Sequence, residues 1–354
     1  MKKIVCLLLS VLSFWSLFSL TVFAENDEDD SGAVQLLSVF GDSISTGFGL
    51  EDFDASDNSK AKNSFPNLLA KHYGLQFNES YFNDSRTGAT SGQVLSDIKN
   101  ADKERLKKSD MIIISVGAND IMSILEQTVF TAYSDSKSIF EQYGITIDFS
   151  SLKSIENTIL AVWNDPSKKA VIDKIIAECT NEKCLNQYKD AVLKYLDNMK
   201  EMISYLREIG SEAELYFITP YNPTAAIPGN VLSDTLQKTL VDLKDGAVGI
   251  SESQEFGYGV TVIDLLTDFQ DRYYEMTQIA SFDIHPTISG HRYIADKLIQ
   301  THVMNMQQRE IELNQQRHRT APYNNTIVYV IFVFACAAVI AILFHVFFTI
   351  RKGK

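Results

Sequence analysis

Short apolar runs rich in β-branched and aromatic residues recur along the chain: Leu36–Phe40 (LLSVF), Met111–Val116 (MIIISV), Glu214–Thr219 (ELYFIT) and Val260–Leu265 (VTVIDL), with a weaker candidate at Leu75–Tyr81. Their length and composition predict buried strands. Between them, apolar residues return at helical spacing. In Tyr188–Ile209 the stripe is Ala191, Val192, Tyr195, Leu196, Met199, Met202, Ile203 and Leu206, and Gly210 is placed to close the helix. Strands alternating with helices predict a parallel sheet covered on both faces, a three-layer α/β/α sandwich. In such sheets sites form beyond the carboxyl ends of the strands. That directs attention to GDS after the first run, GAND after the second and TPYNP after the third.

Two segments break the alternation. Residues 121–185 are far longer than an ordinary crossover and read as a helical insertion, either a lid over the strand end that carries GAND or a helical excursion. Thr301–Asn325 is rich in Gln, Arg and Glu and reads as a helical or flexible stalk.

The termini add a location. Residues 1–24 combine a basic start (Lys2, Lys3), an apolar run from Ile4 to Phe23 and small residues before Glu25, the layout of a cleaved signal peptide, with an uncleaved anchor as the alternative. Residues 25–35 form an acidic lead-in. Thr326–Ile350 carries no charge and, at 1.5 Å per residue, predicts a transmembrane helix, followed by a basic cytoplasmic tail at 351–354. Together these predict a single-pass type I membrane protein with its domain outside the cell, held to the membrane by one C-terminal helix.

Charge excludes one class of partner. The whole chain has a formal net charge of −13, and both terminal segments are basic without an acidic residue, so the intervening domain is more acidic still. Nucleic acid is not expected on such a surface. Of four cysteines, Cys6 and Cys336 fall in the terminal apolar runs, leaving Cys179 and Cys184 in CTNEKC. They are read either as a local disulfide worth about 2 kcal/mol or as two free thiols. No metal or cofactor is expected: the acidic stretch Glu51–Asn58 lacks the glycine of a calcium loop.

The stretch SVFGDSISTGFG (Ser38–Gly49) could cradle a phosphate or present a nucleophile. No lysine follows its glycines as a P-loop requires, the dinucleotide spacing fails at Asp52, and Ser45 stands where the α/β-hydrolase elbow needs a glycine. What remains is Ser43 at a strand end, where the chain enters a helix and unpaired N–H groups can stabilise an oxyanion. A base is available far along the chain. Asp283 and His285 lie two residues apart, and Pro286 favours an extended backbone at His285, so both side chains point the same way. Asp283 can then hold the imidazole while its other nitrogen meets a serine.

FGDS, NDSRTGAT (Asn83–Thr90), GAND (Gly117–Asp120) and DIHP (Asp283–Pro286) resemble the four ordered blocks of the SGNH, or GDSL-type, hydrolases across 36–300, with Ile44 in place of the signature leucine. The resemblance implies a mostly parallel, flavodoxin-like sheet. It implies Ser43 as nucleophile, His285 as general base oriented by Asp283, and an oxyanion hole from the N–H groups of Ser43 and Gly88 and the amide of Asn119. Gly92 is a nearby rival for Gly88. The expected activity is carboxylic ester hydrolysis on a lipid, an acylated glycan or a thioester. An acyltransferase using the same residues and a non-catalytic binding ectodomain are the alternatives. The oligomeric state is left open.

Overall fold

Four of the apolar runs lie side by side as parallel strands in the computed structural model, which describes residues 34–320 except 136, 143, 146–166, 168, 227–230, 257–258 and 282. The strands are β1 (Leu37–Gly41), β2 (Tyr81–Asn83), β3 (Met111–Ser115), β4 (Glu214–Ile218) and β5 (Val260–Ile263). Among the described residues they form one sheet in the order β2-β1-β3-β4-β5, every pairing parallel. This order is that of flavodoxin-like sheets, with a topological switch point between β1 and β3.

Every residue of β1, β3 and β4 is buried, which is why these strands read as continuous apolar runs rather than alternating ones. The helices are α1 (Ser43–Thr46), α2 (Phe65–His72), α3 (Ser91–Asn100), α4 (Lys103–Lys108), α5 (Ala118–Asp135), α6 (Lys137–Gln142), α7 (Lys169–Cys179), α8 (Glu182–Glu208), α9 (Val231–Ser251), α10 (Leu265–Asp268), α11 (Tyr273–Met276) and α12 (Ile288–Thr320). Phe40, Ile112, Ile114, Leu215 and Phe217 pack with residues of α3, α4, α8 and α9 on one face. On the other face, Leu37, Val39, Met111, Ile113, Tyr216 and Ile218 pack with Ile44, with Phe65 and Leu69 of α2, and with Ile294 and Leu298 of α12. The result is the three-layer sandwich.

Where the elements depart from the sequence pattern, local hydrogen bonding explains it. The weak run Leu75–Tyr81 is not a strand up to its last residue. The N–H groups of Glu79, Ser80 and Tyr81 all donate to the Gln76 carbonyl, at 3.1, 2.9 and 2.9 Å, and Asn78 sits at φ 62°, so the chain turns before β2 begins. Helix α8 starts six residues before Tyr188, where the predicted helix begins, because the Asn181 side chain accepts the Cys184 N–H at 2.9 Å and caps it. In the described part of 121–185, Val129 and Tyr133 of α5, Phe140 of α6 and Val171 and Cys179 of α7 form a small core of their own. Cys179 and Cys184 are free, buried thiols, and burial pushes Cys179 up to about 12, leaving it protonated and unreactive at neutral pH.

The transmembrane helix expected at the C-terminus is corrected. No helix among the described residues is long and apolar enough to cross a membrane, and the described fold is the sandwich. Helix α12, with 33 residues, has the length but carries Gln, Arg and Glu through its second half. Residues 1–33 and 321–354, which include the expected signal peptide, most of the acidic lead-in, the 326–350 span and the tail, lie outside the described residues. The chain divides into two units, Met1–Gln300 and Thr301–Lys354, and the described part of the second is the helical stretch that ends at Thr320.

Candidate active site

At the end of β1 the chain makes an abrupt strand-to-helix turn. The Asp42 N–H donates to the Ser115 carbonyl of β3 at 3.0 Å, so the turn begins at the sheet's switch point. The Asp42 carboxylate then accepts the Ile44 N–H at 3.0 Å and caps α1, a four-residue helix whose first residue is Ser43. The N–H groups of a first helical turn have no intrahelical acceptor. Among the described residues the Ser43 N–H donates to none.

Asp283 and His285 reach Ser43 from the loop before α12. His285 Nε2 lies 3.0 Å from Ser43 Oγ, and His285 Nδ1 lies 2.6 Å from Asp283 Oδ1. The same Asp283 oxygen accepts the His285 N–H at 2.9 Å, which fixes the carboxylate relative to the ring it serves. Tyr221, in the TPYNP segment after β4, donates its hydroxyl to the Ile284 carbonyl at 2.6 Å. Phe48 lies against the imidazole with ring centroids 4.6 Å apart. The loop is therefore held from two sides, and the histidine can turn little.

Asn119 bonds to the residue that follows Gly88. Gly88 occupies the third position of a turn closed by the Ala89 N–H on the Arg86 carbonyl at 3.1 Å, and its φ of 79° is one that residues with a Cβ rarely adopt. Its N–H donates to no acceptor among the described residues. Asn119, in the first turn of α5, donates one amide hydrogen to the Ala89 carbonyl at 3.0 Å and retains the other. Asp120 accepts the Ser91 N–H at 2.9 Å and the Ser91 hydroxyl, which in turn accepts the Asn198 amide at 2.7 Å. These bonds lash the Gly88 loop to the end of β3. The link to Ser43 runs through two hydroxyls: Thr46 Oγ1 is 3.1 Å from Thr87 Oγ1 and donates to the Ser43 carbonyl at 3.0 Å. Gly92, the rival of Gly88, lies inside α3 with ordinary helical geometry.

Two acids, Asp42 buried and Asp120 half-buried, lie near these residues. Burial pushes Asp42 up to about 7, against the pull of the Ile44 N–H, and burial also raises Asp120 above the usual carboxylate range. Both carboxyls thus resist ionisation. A cleft of about 840 Å³ adjoins the Thr46–Thr87 contact, its wall including Phe53, Asn58, Phe77, Asn83 and Arg86. Phe53 packs edge-on against Phe48, 5.1 Å between centroids, which connects the cleft wall to the ring on His285. Of these residues, Asp42 carried a readable cap signal, an aspartate just before the helix. Phe48, Asn198 and Ser91 carried none outside the fold.

A hydroxyl, an imidazole and a carboxylate hydrogen-bonded in line, beside unpaired N–H groups at the carboxyl edge of a parallel sheet, define the arrangement that serine hydrolases use. The chain matches the model of the GDSL-like lipase/acylhydrolase family over residues 37–298 and belongs to that family; it is a carboxylic ester hydrolase. Similar solved structures include the lipase Lip_vut3 from a goat rumen metagenome, at 19% identity and TM-score 0.45 over 74% of this chain and 95% of that one. An extracellular lipase from Streptomyces rimosus gives 14% and 0.47 over 74% and 97%. An acetyl xylan esterase from Geobacillus stearothermophilus gives 14% and 0.41 over 77% and 95%. No curated protein matches the chain by sequence.

Proposed function

We propose that the enzyme cleaves carboxylic esters through an acyl-enzyme on Ser43. His285 Nε2 takes the Ser43 proton as Oγ attacks the ester carbonyl. Asp283 keeps Nδ1 protonated and so keeps Nε2 free to accept. The tetrahedral oxyanion receives hydrogen bonds from the N–H groups of Ser43 and Gly88 and from the Asn119 amide. His285 then returns the proton to the departing alcohol, and a water molecule repeats the sequence to release the acid. The observation that carries this reading is the relay itself, 3.0 Å from Oγ to Nε2 and 2.6 Å from Nδ1 to the carboxylate.

For the substrate, the reading is a short acyl group on a polar alcohol, of the kind an acylated glycan presents. It is supported by the cleft, whose wall mixes Ser, Asp, Asn, Arg and Thr side chains with two phenyl rings. For location, the reading is action outside the cell, supported by the charge and hydrophobicity pattern of residues 1–24. A fluorophosphonate probe should label the wild-type protein and leave Ser43→Ala unlabelled. Equal labelling of both would end the mechanism. A panel of p-nitrophenyl esters from acetate to palmitate should show the highest kcat/KM at acetate or butyrate, and a maximum at palmitate would replace the glycan reading with a lipid one. Cell fractionation, with the activity found in the cytosolic fraction alone, would refute the location.

A further inference from the structure

Gln278 belongs to none of the four motif blocks, yet it is the residue on which the two halves of the relay meet. Its side-chain amide points between two carbonyls, donating to Gly49 O at 2.9 Å and to Pro286 O at 3.3 Å. Both partners are acceptors only, so the nitrogen end of the amide is the end that fits. Gly49 lies on the loop that leaves the nucleophile helix, and Pro286 directly follows His285.

The Gln278 backbone completes the junction. Its N–H donates to the His285 carbonyl at 2.9 Å, and its carbonyl accepts the Asp283 N–H at 3.2 Å. Thr277 and Pro286 form an antiparallel bridge, and the Thr287 N–H donates to the Met276 carbonyl at 2.9 Å. The segment 276–278 is thus a template along which Asp283–Thr287 is laid. Gly49 shows how closely the parts fit. It holds φ 89°, and a Cβ there would lie 2.7 Å from Gln278 Nε2, 3.2 Å from His285 Cβ and 3.4 Å from an Asp283 carboxylate oxygen. There is no slack between the nucleophile loop, the glutamine and the base.

We propose that Gln278 is a positioning residue: its amide sets the distance between Ser43 and His285 by tying Gly49 to Pro286. The inference rests on Ser43 and His285 acting as nucleophile and base. A displacement near 1 Å at reacting groups lowers rates by up to about 100-fold. Gln278→Met keeps the length of the side chain and removes both donors. It should lower kcat for p-nitrophenyl acetate by about 10- to 100-fold with KM within about twofold, and should slow fluorophosphonate labelling by the same factor. Gln278→Glu, the second variant should the first not fold, sets an acceptor against two carbonyls and a negative charge beside the imidazole. It should lower kcat comparably and move the acid limb of kcat/KM to higher pH, because a nearby carboxylate favours the imidazolium.

A role confined to folding would lower thermal stability and leave the folded enzyme's kcat, labelling rate and pH limb at wild-type values. Wild-type kcat in folded Gln278→Met, or in folded Gln278→Glu with an unmoved limb, overturns the proposal. Ser43→Ala, run alongside, separates this failure from that of the underlying reading: labelling of Ser43→Ala removes the nucleophile assignment itself, whereas an unlabelled Ser43→Ala with fully active Gln278 variants removes only the clamp.

Discussion

Acidification should destabilise the domain through His291, a residue that takes no part in the relay. His291 lies in α12, is fully buried, and accepts the Phe65 N–H on Nδ1 at 3.3 Å while its ring stacks on Phe65. Protonating it would set a second N–H against the Phe65 N–H and place a charge where nothing solvates it; Nε2 has no hydrogen-bond partner. Burial accordingly lowers its pKa from 6.5 to about 3. The unfolded chain binds this proton below pH 6.5 and the folded chain does not, so stability falls as pH drops through the window from 6.5 toward 3. At 1.36 kcal/mol per pH unit, the loss at pH 4 is about 3 kcal/mol. Asp42 acts in the opposite direction. Its folded value of about 7 lies above the unfolded 3.8, so it withdraws stability as pH rises across that range; on acidification it returns about as much as the histidine removes, and the histidine's effect shows only in the difference between wild type and a His291 variant. The variant His291→Asn, whose side-chain oxygen can take the place of Nδ1, isolates the term. Urea unfolding of wild type and variant at pH 4, 5, 6 and 7 should show the wild type losing about 3 kcal/mol relative to the variant on going from pH 7 to pH 4. A wild-type-minus-variant difference that stays constant across the series would refute the assignment of a neutral, buried imidazole.

The remaining predictions concern the site. Asp283→Asn leaves the shape of the loop but puts an amide where Nδ1–H needs a carboxylate at 2.6 Å, so kcat should fall by about 10⁴ with KM little changed; a drop under tenfold in steady-state kinetics would show that Asp283 does not set the tautomer. Asn119→Ala should lower kcat by roughly 10²–10³. Because Asn119 also holds the Ala89 carbonyl at 3.0 Å, the same change should lower unfolding free energy by about 1 kcal/mol. An unchanged kcat would remove Asn119 from the oxyanion hole, and a loss of several kcal/mol would make the activity result uninformative about catalysis and point to a structural role.

The sheet was legible because burial on both faces forces β1, β3 and β4 to be uninterrupted apolar runs, a signal of composition that needs no knowledge of partners. Strand β2 was misread because three residues at the sheet's edge carry little hydrophobic signal, and the turn at Gln76–Ser80 depends on a carbonyl that three N–H groups share. Ser43, Asp283 and His285 were legible for a different reason: the chemistry restricts residue type, and a strand end, an X-Pro bond and an i, i+2 spacing are local features. Gln278 and Phe48 escaped because nothing about a glutamine or a phenylalanine in sequence says which loop it will meet. Their contacts with Gly49, Pro286 and His285 exist only after α11 and the nucleophile loop are folded against each other.

The charge around Ser43 follows from the same construction. A helix cap normally favours an ionised aspartate, whose negative charge complements the helix N-terminus. Here the cap is also sealed under the sheet's edge, and burial outweighs the N–H bond enough to bring Asp42 to about 7. Burial therefore biases the cap next to the nucleophile toward its uncharged form. Asp120, raised in the same direction by burial, sits in the first turn of α5, the helix that follows β3. In the proposed mechanism an oxyanion held by Ser43, Gly88 and Asn119 would face two acids that burial biases toward the neutral form. Two groups pull Asp42 the other way, the Ile44 N–H that it accepts and, less strongly, the neighbouring His285. Asp42 therefore holds the Ser43 turn through one backbone bond to Ile44, while burial limits the negative charge it sets beside the nucleophile.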